Sequence, residues 1–102
     1  MSAPRQRKAM NKTEESFLAL LTANFPHCQI DREGITLRWP DGMTYTSDFV
    51  VYGGSKPLLI ETKGPFIRRS GLEKFRAARA RWTAFEFQMH QRDKAYNWKK
   101  IL

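Results

Sequence analysis

Apolar and polar positions follow two rhythms along this chain, one helical and one extended. Phe17, Leu18 and Leu21 stand three, four and seven positions after Glu14, the spacing of a single helix face. Asn11 precedes them as a favoured N-cap, with Glu14 three residues on as in a capping box. The pattern predicts a helix from Asn11 that ends ahead of Pro26, with Glu14 on its inward stripe and Glu15 turned to solvent. Residues 24–33 then read as a connecting loop. From Ile35 the period changes to two. Ile35, Leu37 and Trp39 alternate with Thr36 and Arg38 as a first strand, and Pro40-Asp41-Gly42 forms a tight turn after it. The stretch from Thr44 to Gly64 reads as a β-hairpin, two strand-forming arms around Gly53-Gly54-Ser55. Ser70 is the expected cap of a second helix over 71–83, with Leu72, Phe75, Ala78 or Arg79, and Trp82 as its apolar stripe. Phe85, Phe87 and Met89 alternate with polar neighbours in a fourth strand. A right-handed strand–helix–strand crossover places that strand parallel to the third. The pattern assigns no conformation to residues 91–102, where Tyr96 and Trp98 are the expected packing anchors. The predicted fold is α/β: a mixed four-stranded sheet, strands 1-2-3 antiparallel and strand 4 parallel to 3, flanked by helices.

The hairpin contains an electrostatic problem. If Tyr52 faces Pro57 across a four-residue loop, Asp48 faces Glu61. Facing side chains lie about 4.5–5.5 Å apart, and like charges there repel. Along the third strand Leu59, Glu61 and Lys63 share one face, and Leu58, Ile60 and Thr62 the other, so both faces are covered. A carboxylate pair in such a strand calls for a counter-charge, and a divalent cation supplies one. The inward Glu14 either caps its helix or delivers a third carboxylate to the pair; the hairpin favours the second. Oxygen ligands of this kind suit one or two Mg2+ ions, with Mn2+ as a substitute. Lys63, two residues beyond Glu61 on the same face, is placed to orient or deprotonate a water, or to stabilise charge on phosphorus. The plainer alternative is a buried Glu61–Lys63 ion pair and a strand-end aspartate. His27 and Cys28 stand together in the loop, but one cysteine and a distant second histidine assemble no zinc ligand set.

Charge sharpens this picture. The 102 residues carry a net charge of +8, yet residues 1–62 balance seven basic against seven acidic side chains. Residues 63–102 hold eleven basic and three acidic, so the excess lies wholly in the last 40 positions. That asymmetry points to a polyanionic partner, nucleic acid first among them. An acidic cluster inside a basic protein makes sense if a metal mediates between carboxylates and a phosphodiester. Residues 1–10, with Arg5, Arg7 and Lys8, form a basic arm expected to be disordered, which either touches phosphates or is only a solvated terminus. Residues 11–102 form one domain with one core. A single cysteine excludes an internal disulfide. No signal-peptide pattern or membrane-length apolar run occurs, so the expectation is a cytoplasmic protein without a membrane partner.

Asp48 followed thirteen positions later by Glu61-Thr62-Lys63 resembles the motif of the PD-(D/E)xK nuclease superfamily. More narrowly, Thr44-Tyr45-Thr46-Ser47-Asp48-Phe49 and Ile60-Glu61-Thr62-Lys63-Gly64 are similar to the core of the phage endonuclease I family of Holliday junction resolvases. Asn11-Lys12-Thr13-Glu14 is similar to the opening of small phage-encoded nucleases of the same superfamily. Ser47 stands where proline is usual, and the short Pro40-Asp41-Gly42 turn replaces a longer bridging segment. The resemblance implies a restriction-endonuclease-like core, metal binding by Asp48 and Glu61, a catalytic role for Lys63 and a supporting carboxylate from Glu14. It further implies a host-cytoplasmic, Mg2+-dependent endonuclease acting on branched DNA. Arg68, Arg69, Lys74, Arg76, Arg79 and Arg81 would hold the DNA backbone, and a homodimer is expected because resolving a junction takes two nicks. Two alternatives stand beside it: a non-catalytic basic nucleic-acid-binding module, and a nuclease subunit of a larger phage or transposition complex.

Overall fold

Asn11 opens the first helix as its sequence implies, its side-chain oxygen accepting the backbone N–H of Glu14 at 2.8 Å. The structure, a computed structural model, describes residues 9–102, so Arg5, Arg7 and Lys8 of the expected arm lie outside the described residues. Helix α1 (Lys12–Asn24) ends ahead of Pro26 and buries Phe17 and Leu21. Strand β1 (Gln29–Arg32) follows. Strands β2 (Thr36–Arg38) and β3 (Thr44–Thr46) form a small hairpin, then come β4 (Phe49–Tyr52) and β5 (Leu58–Lys63). Helix α2 (Arg69–Arg81) leads to β6 (Glu86–Arg92) and β7 (Trp98–Lys100). No helix among the described residues is long and apolar enough to cross a membrane.

The main sheet has the order β1-β4-β5-β6-β7, with β5 and β6 parallel and the other neighbours antiparallel. Its two faces are covered separately. Phe49, Val51, Leu58 and Ile60 pack with Phe17 and Leu21 of α1. Val50, Leu59, Phe87 and Met89 pack with Phe75 and Ala78 of α2, joined by Leu37 and Tyr45 from the β2–β3 hairpin. Each Val, Leu, Ile, Phe or Met side chain so removed from water contributes about 1.5–3 kcal/mol, and β5 is buried on both faces as its sequence predicts. The first helix and last strand meet directly. Trp98 lies 4.8 Å from the Phe17 ring and donates its indole N–H to Ser16, while Arg92 donates to Thr13.

Four expectations need correction. The expected loop contains β1, an edge strand whose only fully apolar residue is Ile30; pairing with β4 makes it extended where its own sequence gives little signal. The first hairpin arm is not one strand. It breaks at Ser47 and Asp48, where buried Ser47 donates to the Phe49 carbonyl at 3.1 Å, so β3 leaves the main sheet to pair with β2. The strand order 1-2-3-4 therefore gives way to a five-stranded sheet plus a two-stranded one. Residues 91–102 complete β6 and form β7, with Trp98 as the expected anchor. Tyr96 is exposed instead, at φ 62°, with the Arg92 guanidinium 4.2 Å over its ring. Finally, α2 begins at Arg69 with no side-chain cap, so Ser70 lies inside its first turn. The Pro40-Asp41-Gly42 turn forms as predicted: Asp41 accepts the Met43 N–H at 2.9 Å and Gly42 takes φ 94°.

Candidate functional site

The β4–β5 register pairs Val51 with Leu58, Val50 with Leu59 and Phe49 with Ile60. One residue further brings Asp48 alongside Glu61, as the hairpin geometry predicts. Asp48 closes the end of this ladder. Its backbone carbonyl accepts the Glu33 N–H at 3.1 Å, continuing the pairing toward β1. Its carboxylate turns the other way, Oδ2 accepting the Thr62 backbone N–H at 2.7 Å and the Thr62 hydroxyl at 2.8 Å. A side-chain oxygen thus takes a strand donor on β5, and Oδ1 accepts no hydrogen bond from the described residues.

Glu61 is held from two directions. The Tyr45 hydroxyl, carried in from β3 on the α2 side of the sheet, donates to Oε1 at 2.8 Å. Lys63 Nζ stands 3.6 Å from Oε2. The Glu61 side chain is 14 % exposed, and burial is the main force on its proton. Burial, then the Asp48 charge, push its carboxyl up to about 7 against the opposing pull of Lys63 and Tyr45. Burial and the Glu61 charge likewise drive the Tyr45 phenol far above its ordinary range, so it serves only as a donor. Lys63 is positioned by α2 as well. A Cβ added at Gly71 would lie 3.2 Å from Nζ, so the absent side chain leaves the ammonium its place against the helix's first turn.

Glu14 does not complete this group. It sits on the α1 side of the sheet, with Ile30 and Phe49, where its Oε2 meets Arg32 Nη2 at 3.4 Å. Glu61 and Lys63 occupy the opposite face, because side chains alternate along β5. Among the described residues no three Asp, Glu, His or Cys side chains converge as a metal cluster. The inward orientation predicted for Glu14 holds; its expected company does not.

The six expected DNA-contacting residues, Arg68, Arg69, Lys74, Arg76, Arg79 and Arg81, are all exposed. They do not form one stripe. Arg68 and Arg69 stand at the start of α2, the end of the helix whose Gly71 faces Lys63. Arg79 and Arg81 lie about 15–18 Å away along the helix axis, over the rings of Phe75 and Trp82. Arg69 is paired with Glu73 at 3.1 Å, in full solvent.

Sequence reading overlooked three supporting residues. Tyr45 could have been found, since a tyrosine on an apolar strand face needs a partner for its hydroxyl. Thr62 could have been found as the residue between Glu61 and Lys63. Gly71 carries no such signal, because only the fold brings it to Lys63. No protein-family model matches the chain, and a search of the curated proteins finds no match.

Proposed function

We propose that this protein is a metal-dependent DNA endonuclease of restriction-endonuclease-like architecture, hydrolysing phosphodiester bonds in branched DNA. The observation that carries the proposal is the meeting of Asp48 and Glu61 at the end of β5 with Lys63 3.6 Å from Glu61. The donor set fits a hard divalent cation such as Mg2+ or Mn2+. Asp48 Oδ1 takes no donor from the described residues, and the Asp48 charge disfavours ionisation of Glu61, a cost that a cation relieves. Mg2+ is commonly bound through one or two carboxylates, with water and substrate phosphate completing its shell. Bound there, the ion would polarise the phosphate and lower the pKa of an attacking water.

The chain's own residues supply the rest. Thr62 fixes Asp48 with two donors, and Tyr45 fixes Glu61 with one, so neither carboxylate must reorganise when substrate arrives. Lys63 presents its ammonium where negative charge grows on the phosphoryl oxygens. Arg68 and Arg69 neutralise flanking phosphates, and the other four cations extend that contact along α2 without reading bases. Glu14, on the other face of the sheet and paired with Arg32, takes no part in this site. A four-way junction takes two cuts, so two copies act on that substrate.

The decisive experiment incubates purified protein with junction, flap, nicked and duplex DNA in Mg2+, in Mn2+ and in EDTA. Nicking in either metal and silence in EDTA is expected. Lys63→Ala should slow cleavage by roughly 10²–10³-fold, and undiminished cleavage by an Asp48→Ala, Lys63→Ala double variant would sink the proposal.

One observation favours a second reading, a basic module that binds DNA without cutting it. With its carboxyl pushed up to about 7, Glu61 keeps its proton to a much higher pH than a free carboxylate. The metal-free site then repels phosphate less than two full charges would. Tight binding in EDTA, with no cleavage in any metal, identifies that case; binding of metal without cleavage points instead to a subunit of a larger machine.

A further inference from the structure

Phe66 is 87 % exposed, the most exposed large apolar side chain among the described residues. It stands three residues beyond Lys63 and two before Arg68. A phenyl ring left in water forgoes about 1.5–3 kcal/mol of burial, and the segment that carries it is tied down at its base. Gln91 Nε2 donates to the carbonyls of both Gly64 and Pro65, at 3.2 and 3.1 Å. Pro65 also forms one wall of an open cavity of about 410 Å³ between the ends of β5 and β6 and the β6–β7 turn. Arg92, Lys94, Lys99 and Trp98 line it further. Its one acid, Asp93, is committed to the turn, accepting from the N–H groups of Ala95 and Asn97 and from the Asn97 amide. With three cations against that one acid, the cleft presents an excess of positive charge, in a volume that suits a nucleotide.

We infer that this cleft and Phe66 receive an unpaired DNA strand leaving the site, with Phe66 stacked on a nucleobase. Every base offers a π-face, so such a contact is indifferent to sequence. In an intact duplex that face is already stacked, and a phenyl ring gains a partner only where a step is open or a strand is free. The cations of the cleft, whose wall includes the neighbouring Pro65, track the phosphates of the same strand. Phe66 thereby becomes the residue that separates branched from plain duplex DNA. The inference deepens the nuclease proposal and rests on it for the choice of DNA as polyanion.

The test is equilibrium binding in EDTA, so that cleavage plays no part. Fluorescence anisotropy would compare a flap, a four-way junction, a single strand and a matched duplex. Phe66→Ala should weaken binding to the flap, junction and single strand by roughly tenfold or more and change the duplex by less than about twofold, with Phe66→Trp restoring the preference. A Lys94→Gln, Lys99→Gln double variant should reduce the salt slope for the single strand by about 1.4. Equal losses on all four DNAs, no loss on any, or an unchanged salt slope overturns the inference. So does a sedimentation shift from dimer to monomer in Phe66→Ala, which would assign the ring to a second copy. A protein that shows this selectivity yet never cuts in Mg2+ refutes the nuclease proposal alone, and one that cuts but ignores Phe66 refutes this inference alone.

Discussion

Tyr45 and Glu61 show how much of the site's behaviour is decided by single contacts. Replacing Tyr45 with Phe keeps the ring in its cluster and removes only the donor to Glu61. The expected cost is about 1–3 kcal/mol in urea unfolding, since a buried carboxylate loses a partner. The same change should raise the Glu61 pKa further, because that donor lowers it. Glu61 also links stability to pH with a definite sign. Its carboxyl titrates near 4.5 when unfolded and at about 7 when folded, so the folded chain holds the proton more tightly. The associated stability is complete below 4.5 and is lost as pH rises through 7. Metal-free protein should lose up to about 3 kcal/mol between pH 4.5 and 8 from this group. Glu61→Gln should remove that slope, which denaturation in EDTA across the range would reveal. Mg2+ acts oppositely: it needs the ionised form, so its thermal stabilisation should grow from pH 6 to pH 8.

At the scale of elements, α2 sets up a conflict that one substitution exposes. Glycine inside a helix costs about 1 kcal/mol relative to alanine, so Gly71→Ala should stabilise an exposed helix. Here the new methyl group would lie 3.2 Å from Lys63 Nζ. The expectation is little net stability gain and a drop in cleavage, measured by melting and by nicking rate on one preparation. The elements legible in the sequence were those with a strong local signal. Asn11 bonds Glu14, the Pro40-Asp41-Gly42 turn closes, and the register from Val51↔Leu58 to Phe49↔Ile60 follows from the Gly-rich loop. That register delivered Asp48 to Glu61. The misread elements depend on partners distant in sequence. Gln29–Arg32 is a strand because β4 lies beside it, and β3 leaves the main sheet because Ser47 bends the chain back onto Phe49. Helical periodicity turned Glu14 inward correctly but could not say which face of the sheet it would meet.

Across the whole molecule, the two faces of the sheet carry titrating groups of opposite effect. Glu61 on the α2 side favours the folded state at low pH. His90 on the α1 side has its pKa lowered by burial and by Lys100 across the strand pair. A depressed imidazole stabilises above its unfolded pKa of 6.5, and that stability is lost as pH falls through the folded value. The His90 contribution therefore opposes that of Glu61 in metal-free wild-type protein, and Glu61→Gln should leave stability that rises rather than falls across pH 5 to 7.5. Phe75→Ala, at the centre of the α2 face, should cost about 3–5 kcal/mol in denaturant.

The meeting of α1 with the last strand has a consequence for how the chain acquires its shape during synthesis. Ser16 and Trp98 are 82 positions apart, and Thr13 and Arg92 are 79 apart. Helix α1 thus has part of its resting surface made about eighty residues later, and its Phe17 face stays incompletely covered until Trp98 has left the ribosome. Contacts of such long range slow folding. A nascent chain arrested before residue 98 should show α1 accessible to protease, and one released past residue 102 should show it protected. Asp48 and Glu61 are both made before α2 and β6, the elements that cover the Glu61 face, so the carboxylate pair too waits on later chain for its burial.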